Sequence, residues 1–251
     1  MNPVATTAIV FACVFGGALL GMALRNVVPA HHLTSETKDV LKLGVGLIGT
    51  MAALVLGLLV ASAKSSYDTR GNEITQMAAS TVMLDRMLEH YGPETNELRG
   101  ILRLVVTQMI AQIWPKDSDG AGGLNSSPGK GEIIFDKLEE LTPRTEAQRV
   151  LQAQAQVVVI NMGQDRWLLF EQNGSSISTP FLIVVVFWLS ILFVSFGLFA
   201  PANMTIVITL LLSAVSVAGA LFLILELDHP FTGLIQLSSA PMRNALAALG
   251  K

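Results

Sequence analysis

The fold is decided by residues 43–63, which read LGVGLIGTMAALVLGLLVASA and contain no charged side chain. A helix needs about 20 apolar residues to cross the hydrocarbon core of a bilayer, which is about 30 Å thick. This stretch has that length. Lys42 and Lys64 bracket it, and their long side chains can place ammonium groups at the two membrane surfaces. We therefore predict a transmembrane helix here.

Three further apolar stretches have the same length, at about residues 4–24, 181–200 and 204–225. Charged residues make up only 14% of the chain, whereas a soluble domain has about 25%. We predict an all-α integral membrane protein with four transmembrane helices in two pairs. The first stretch has an alternative interpretation as a cleaved signal peptide, but such a peptide begins with a basic region. Residues 1–15 carry no charged side chain.

The two pairs of apolar stretches leave a polar region between them. We predict a first transmembrane hairpin over residues 1–64, a helical water-facing domain over 65–178, and a second hairpin within 179–251. The helical period continues beyond the second span to Gly92-Pro93. Its apolar stripe consists of Ile74, Met77, Thr81, Leu84, Leu88 and Tyr91. The second helix should therefore extend out of the membrane as one long helix.

Few residues suggest catalysis or metal binding. Cys13 has no partner for a disulfide or a cysteine cluster. His31 and His32 lie near Glu36 and Asp39, and these side chain types bind metals, but adjacent histidines in a loop diverge. A polar loop is the competing interpretation. No residue has the local setting of a catalytic nucleophile, and a net charge of −3 disfavours nucleic acid. We expect no enzymatic activity and no cofactor.

Small residues mark one face of the second span. The pore-lining candidates on or beside this face are Gly46, Thr50, Ala53, Leu54 and Gly57. Gly17 and Gly21 form a similar pair in the first span. Small residues allow close helix packing in a membrane, and they are also tolerated along a water-filled path. No span has an ionisable residue at its centre, which disfavours ion-coupled transport but is compatible with a passive pore.

Two carboxylates, Glu226 and Asp228, follow the fourth span at the membrane edge. In an oligomer around an axis they would form an acidic ring that attracts cations. The alternative is that they simply end the helix in water. A carboxylate at a helix C-terminus opposes the helix dipole, which favours a specific role. Beyond them, residues from about 234 to 249 are predicted to form an amphipathic helix along the membrane interface.

Several segments carry a family resemblance. They read FGGALLG at 15–21, KLGVGLI at 42–48, ALVLGLLVASAKSSYD at 53–68 and FLILELDHPF at 222–231, together with LDR at 84–86 and YGPE at 91–94. The chain resembles a bacterial membrane family with a bestrophin-like domain. The resemblance implies two membrane helices on each side of a helical cytosolic portion, and a pentamer whose second helix lines a pore. The second span lacks the aromatic-rich neck of bestrophins, so we transfer only the architecture.

Two functions follow from these features. The first is an oligomeric ion channel of the bacterial inner membrane, with membrane lipids, inorganic ions and copies of itself as partners. The second is a non-conducting scaffold or sensor that binds a protein through helices within residues 65–114. Lys and Arg residues near the helix ends are more numerous on the side of the central domain. By the positive-inside rule, that domain and both termini are expected in the cytoplasm.

Overall fold

The computed structural model describes residues 2–27, 35–114, 130–171, 179–201, 203–231 and 233–250. These residues form eight α-helices and no strand, which confirms the all-α prediction. The helices are α1 (Pro3–Arg25), α2 (Ser35–Tyr91), α3 (Asn96–Ile113), α4 (Lys130–Glu139), α5 (Glu146–Glu171), α6 (Thr179–Phe199), α7 (Met204–Leu227) and α8 (Ala240–Ala248). His31 and His32, the residues weighed as metal ligands, lie outside the described residues.

The chain divides into two compact units. The first, called the membrane unit, comprises Met1–Tyr67, Ser175–His229 and Gly233–Ile235. It holds α1, the first part of α2, α6 and α7. These are the four helices that are long and apolar enough to cross a membrane, as the sequence predicts. Their buried side chains form one apolar core, which includes Val14, Ala63, Val185, Leu189, Ala214 and Leu221.

Glycine allows α1 and α6 to approach closely inside the membrane unit. A Cβ atom added at Gly21 would overlap the backbone carbonyl oxygen of Val194, and one added at Gly197 would overlap that of Ala18. Lipid tails are as apolar as the helix surfaces, so the hydrophobic effect does not drive membrane helices together. Their association depends on such close backbone packing instead. The small-residue pair Gly17 and Gly21 in the first span therefore packs against a neighbouring helix.

The second unit, called the helical unit, comprises Asp68–Gly174, Pro230–Thr232 and Gln236–Lys251. The continuity of α2 from Ser35 to Tyr91 confirms the predicted long second helix. Gly92 ends it with a φ of 134°, a conformation that side chains with a Cβ rarely adopt. The hydroxyl of Thr95 then lies within hydrogen-bond distance of the Leu88 and Gly92 carbonyl oxygens, and α3 begins at Asn96.

The C-terminal helix differs from its predicted place at the membrane interface. In α8, Met242 and Ala245 are buried in the core of the helical unit. The preceding segment is fixed there as well, because the Trp114 indole N–H donates to the Leu237 carbonyl oxygen at 2.8 Å. The segment from Gln236 onward thus belongs to the helical unit and not to the second transmembrane hairpin. Its apolar side is covered by protein.

Candidate functional site

Within the membrane unit, α2 has a buried face and an exposed face. Ala52, Leu59 and Ala63 are buried, and Leu59 and Ala63 belong to the apolar core of the unit. All the pore-lining candidates lie on the opposite side and are exposed: Gly46, Thr50, Ala53, Leu54 and Gly57. With 3.6 residues per turn, their spacing places the small residues on one face that points away from the core of the unit. We call this set the α2 face.

The α2 face has open space in front of it. A Cβ atom added at Gly46 or Gly57 would meet nothing within 4 Å. Gly21 and Gly197 offer the opposite case, since a Cβ atom at either position would overlap backbone. Gly21 on α1 and Gly197 on α6 therefore serve close packing, whereas Gly46 and Gly57 of the α2 face have no packing partner among the described residues.

The chemistry of the α2 face is apolar. The one hydroxyl, that of Thr50, donates to the carbonyl oxygen of Leu47 at 2.8 Å within the same helix. Leu54 projects outward, with 66% of its surface exposed. A face with these groups has no charged ligand for an ion. It can instead line a narrow apolar passage, a kind of constriction that opens and closes by wetting and dewetting.

The membrane unit has a second exposed stripe of small polar residues, on α7. The hydroxyls of Thr209, Ser213 and Ser216 each donate to the backbone carbonyl oxygen four residues earlier, at 2.9 Å. Hydroxyls bonded in this way can face lipid without an unsatisfied donor. The α7 stripe therefore needs no water in front of it, and it serves as a comparison surface for the α2 face.

The structure places the charged-ring candidates in the interior of the membrane unit. Glu226 is 3% exposed and Asp228 is 5% exposed. The Glu226 carboxylate accepts a hydrogen bond from the backbone N–H of Leu234, and the backbone carbonyl of Glu226 accepts one from the backbone N–H of His229 at 3.0 Å. Glu226 thus holds the turn that follows α7. The acidic ring in an oligomer remains a prediction.

The helical unit contains a buried ion pair that the sequence analysis missed. The Asp85 side chain on α2 is 2% exposed and that of Arg99 on α3 is 17% exposed. Arg99 donates from Nε to Oδ1 at 2.8 Å and from Nη2 to Oδ2 at 3.0 Å. The backbone N–H of Gly250 donates to Oδ2 at 3.3 Å. Asp85 directly follows Leu84 of the apolar stripe. A carboxylate beside a buried stripe predicts a cationic partner, because a buried charge is costly unless it is paired.

The environment of this ion pair shifts both pKa values. Burial raises the pKa of Asp85, but the hydrogen bonds from Arg99 and Gly250 and the charges of Arg99 and Arg86 outweigh it. The pKa of Asp85 therefore lies below its usual value. The hydrogen bond to Asp85 holds the pKa of Arg99 above its usual value, against the opposing effect of burial. Both groups are charged at neutral pH, so the pair links α2 to α3.

Four apolar helices in one unit and amphipathic helices in the other define the chain as an all-α membrane protein. A family model described as "Bestrophin-like domain" matches residues 12–242. This match covers most of the chain, so the protein belongs to the family with a bestrophin-like domain, as its sequence motifs indicate. Comparisons with curated proteins and with solved structures gave no match.

Proposed function

We propose that the protein is an ion channel in which several copies assemble with the α2 face around a common axis. One observation carries the proposal: the α2 face is uncharged and exposed, while Leu59 and Ala63 on the opposite side of the helix pack into the apolar core of the membrane unit. Membership of the bestrophin-like family supports it, because the second membrane helix lines the pore in bestrophins. By the same resemblance, a pentamer is the expected assembly.

The side chains of the α2 face suit a gated apolar passage. Gly46, Ala53 and Gly57 leave room for water, and the exposed Leu54 narrows the path between them. Such a constriction controls ions by wetting and dewetting and needs no titrating group. In this proposal the passage is lined by α2 alone, because Glu226 and Asp228 are buried within the membrane unit.

The proposed location is the bacterial inner membrane, with the helical unit and both termini in the cytoplasm. Support comes from the Lys and Arg residues near the ends of the spans, which are more numerous on the side of the helical unit. A cysteine introduced at an exposed position of the helical unit, such as Gln154, tests this topology. Labelling by a membrane-impermeant thiol reagent from outside intact spheroplasts would contradict it.

Ion flux through liposomes that contain the purified protein tests the channel. Gly57→Leu places a large side chain on the α2 face and should lower the flux at least tenfold. Gly219→Leu on α7 is the matched control, because Gly219 is also exposed and a Cβ atom there meets nothing within 4 Å. Equal flux in the two variants would refute the assignment of α2. Absence of flux in the wild type would refute the channel.

A second function, partner binding without conduction, is favoured by α5. This helix of the helical unit exposes Val150, Val157, Ile160 and Trp167 at steps of seven and three, which places them on one face. Exposed apolar patches often mark protein interaction sites. A stoichiometric protein partner that is lost on Trp167→Gln, together with no flux in liposomes, would support this function in place of the channel.

A further inference from the structure

The helical unit contains a cavity of about 240 Å³ beside the Asp85–Arg99 ion pair. Helix α3 contributes Asn96, Arg99, Gly100 and Arg103 to its lining, and the other lining residues are Asp85, Leu249 and Gly250. The steps of three and four between these α3 residues place them on one face of the helix. Gly100 leaves space between the two arginines, because a Cβ atom there would meet nothing within 4 Å.

The charges around the cavity do not cancel. Asp85 neutralises Arg99 through two hydrogen bonds. Arg103 has no carboxylate partner among the described residues and donates only to the carbonyl oxygen of Leu249, at 3.3 Å. Among the described residues that line the cavity, one carboxylate therefore faces two guanidinium groups, and the net charge of their side chains is positive.

Hydrogen-bond donors remain available at the same place. Arg99 uses Nε and Nη2 for Asp85, so its Nη1 has no acceptor within the part of the chain that the structure describes. The side-chain amide of Asn96 and most of the Arg103 guanidinium also have none there. Two forked guanidinium groups one helical turn apart match the spread oxygens of a phosphate, since guanidinium binds such groups through paired N–H bonds.

We infer that this cavity binds a phosphate-type oxyanion, held by Arg103, Nη1 of Arg99 and the amide of Asn96. The N-terminal turn of α3, which begins at Asn96, adds its positive dipole end. Drug-sized ligands occupy about 300–1,000 Å³, so this smaller cavity suits inorganic phosphate or the phosphate of a lipid headgroup. The inference does not depend on ion conduction. Because Arg103 and Asp85 also hold Leu249 and Gly250, the bound anion would stabilise the docked C-terminal segment.

The first test measures binding of inorganic phosphate to the full chain in lipid-free detergent. The unfolding temperature is followed as phosphate is added, and it is compared with the unfolding temperature in chloride at the same ionic strength. The wild type should give a saturable rise. Gly100→Leu fills the cavity and keeps both arginines, and it should weaken the affinity at least tenfold. Gly163→Leu on α5 is the matched control, since Gly163 also lies in open space, and it should bind like the wild type.

A second pair of variants tests the charge. Arg103→Gln should also weaken phosphate binding at least tenfold, whereas Arg149→Gln, which breaks an exposed ion pair with Glu146 on α5, should leave it unchanged. Arg99 is unsuitable as a test because its loss would leave the buried Asp85 carboxylate unpaired. Phosphate binding that persists equally in Gly100→Leu and Arg103→Gln would overturn the inference.

A parallel titration with short-chain phosphatidic acid separates the two sources of phosphate. Binding of this lipid alone, weakened by both Gly100→Leu and Arg103→Gln, would support the site and identify a lipid headgroup as its ligand. Binding of inorganic phosphate with the same sensitivity would identify a free anion. A wild-type protein that responds saturably to neither probe would overturn the inference.

Discussion

Replacing Arg99 by methionine should destabilise the helical unit strongly at neutral pH. The substitution removes both hydrogen bonds to Asp85, whose side chain is 2% exposed, and leaves a buried carboxylate with only the Gly250 N–H. Breaking a buried ion pair from one side costs about 3–5 kcal/mol. The remaining hydrogen bond from Gly250 and the charge of Arg86 offset part of this, so we expect a loss of about 3 kcal/mol in the free energy of unfolding.

The loss should shrink as the pH falls. In the wild type the pKa of Asp85 lies below its unfolded value, so its stabilising effect is present above about pH 4 and disappears as the pH falls through the folded pKa. In Arg99→Met, burial is opposed only by the Gly250 hydrogen bond and the Arg86 charge, so the pKa of Asp85 lies above its value in the folded wild type. The variant therefore loses less stability on protonation than the wild type, and the two should converge in acid.

The assay is thermal unfolding of the full chain in detergent, between about pH 2 and about pH 8, combined with hydrogen exchange of the α2 and α3 amides. Arg149→Met is the matched control, because the Arg149 and Glu146 side chains are 68% and 75% exposed and such pairs contribute about 0–1 kcal/mol. If Arg99→Met were no more destabilising than this control at pH 7, or equally destabilising at every pH, the reasoning about the buried pair would be refuted.

Three further substitutions test local features of the fold. Gly197→Val should prevent close packing of α1 and α6 and lower the yield of folded protein in size-exclusion chromatography. Gly16→Val is the control, because Gly16 lies in open space, and its yield should not fall. Equal yields of the two variants would contradict this packing. Gly92→Ala forces a φ of 134° on a residue with a Cβ and should lower the free energy of unfolding by about 1–3 kcal/mol. Thermal unfolding measures this loss, and an unchanged unfolding midpoint would contradict the expected strain. Glu226→Gln weakens the bond to the Leu234 N–H and should speed exchange of that amide about tenfold; unchanged exchange would rule out this role.

The sequence predicts the membrane helices well because unbroken apolar runs leave few alternatives. The predicted span at about 204–225 corresponds to α7 at Met204–Leu227, and that at about 181–200 to α6 at Thr179–Phe199. Gly92-Pro93 marks the end of α2 because proline and a left-handed glycine stop a helix. These signals are local, so they can be recognised without knowledge of the tertiary structure.

Placement of the C-terminal helix could not be predicted in the same way. An amphipathic helix has an apolar side whether that side meets lipid or protein, and α8 buries Met242 and Ala245 in protein. The Asp85–Arg99 pair was missed for a related reason. Its two members lie 14 residues apart on different helices, and only the turn at Gly92 brings them together.

The two glycine patterns of the membrane helices looked alike in sequence but differ in their surroundings. Glycine costs about 1 kcal/mol relative to alanine inside a helix, so it needs a compensating contact or function. Gly21 and Gly197 have such a contact in the close approach of α1 and α6. Gly46 and Gly57 face open space within the described residues, where leucine would form a better helix and a better surface for lipid. A neighbouring copy of the chain or a water-filled passage would explain them. The flux of Gly57→Leu against Gly219→Leu is therefore the experiment that tests this explanation most directly.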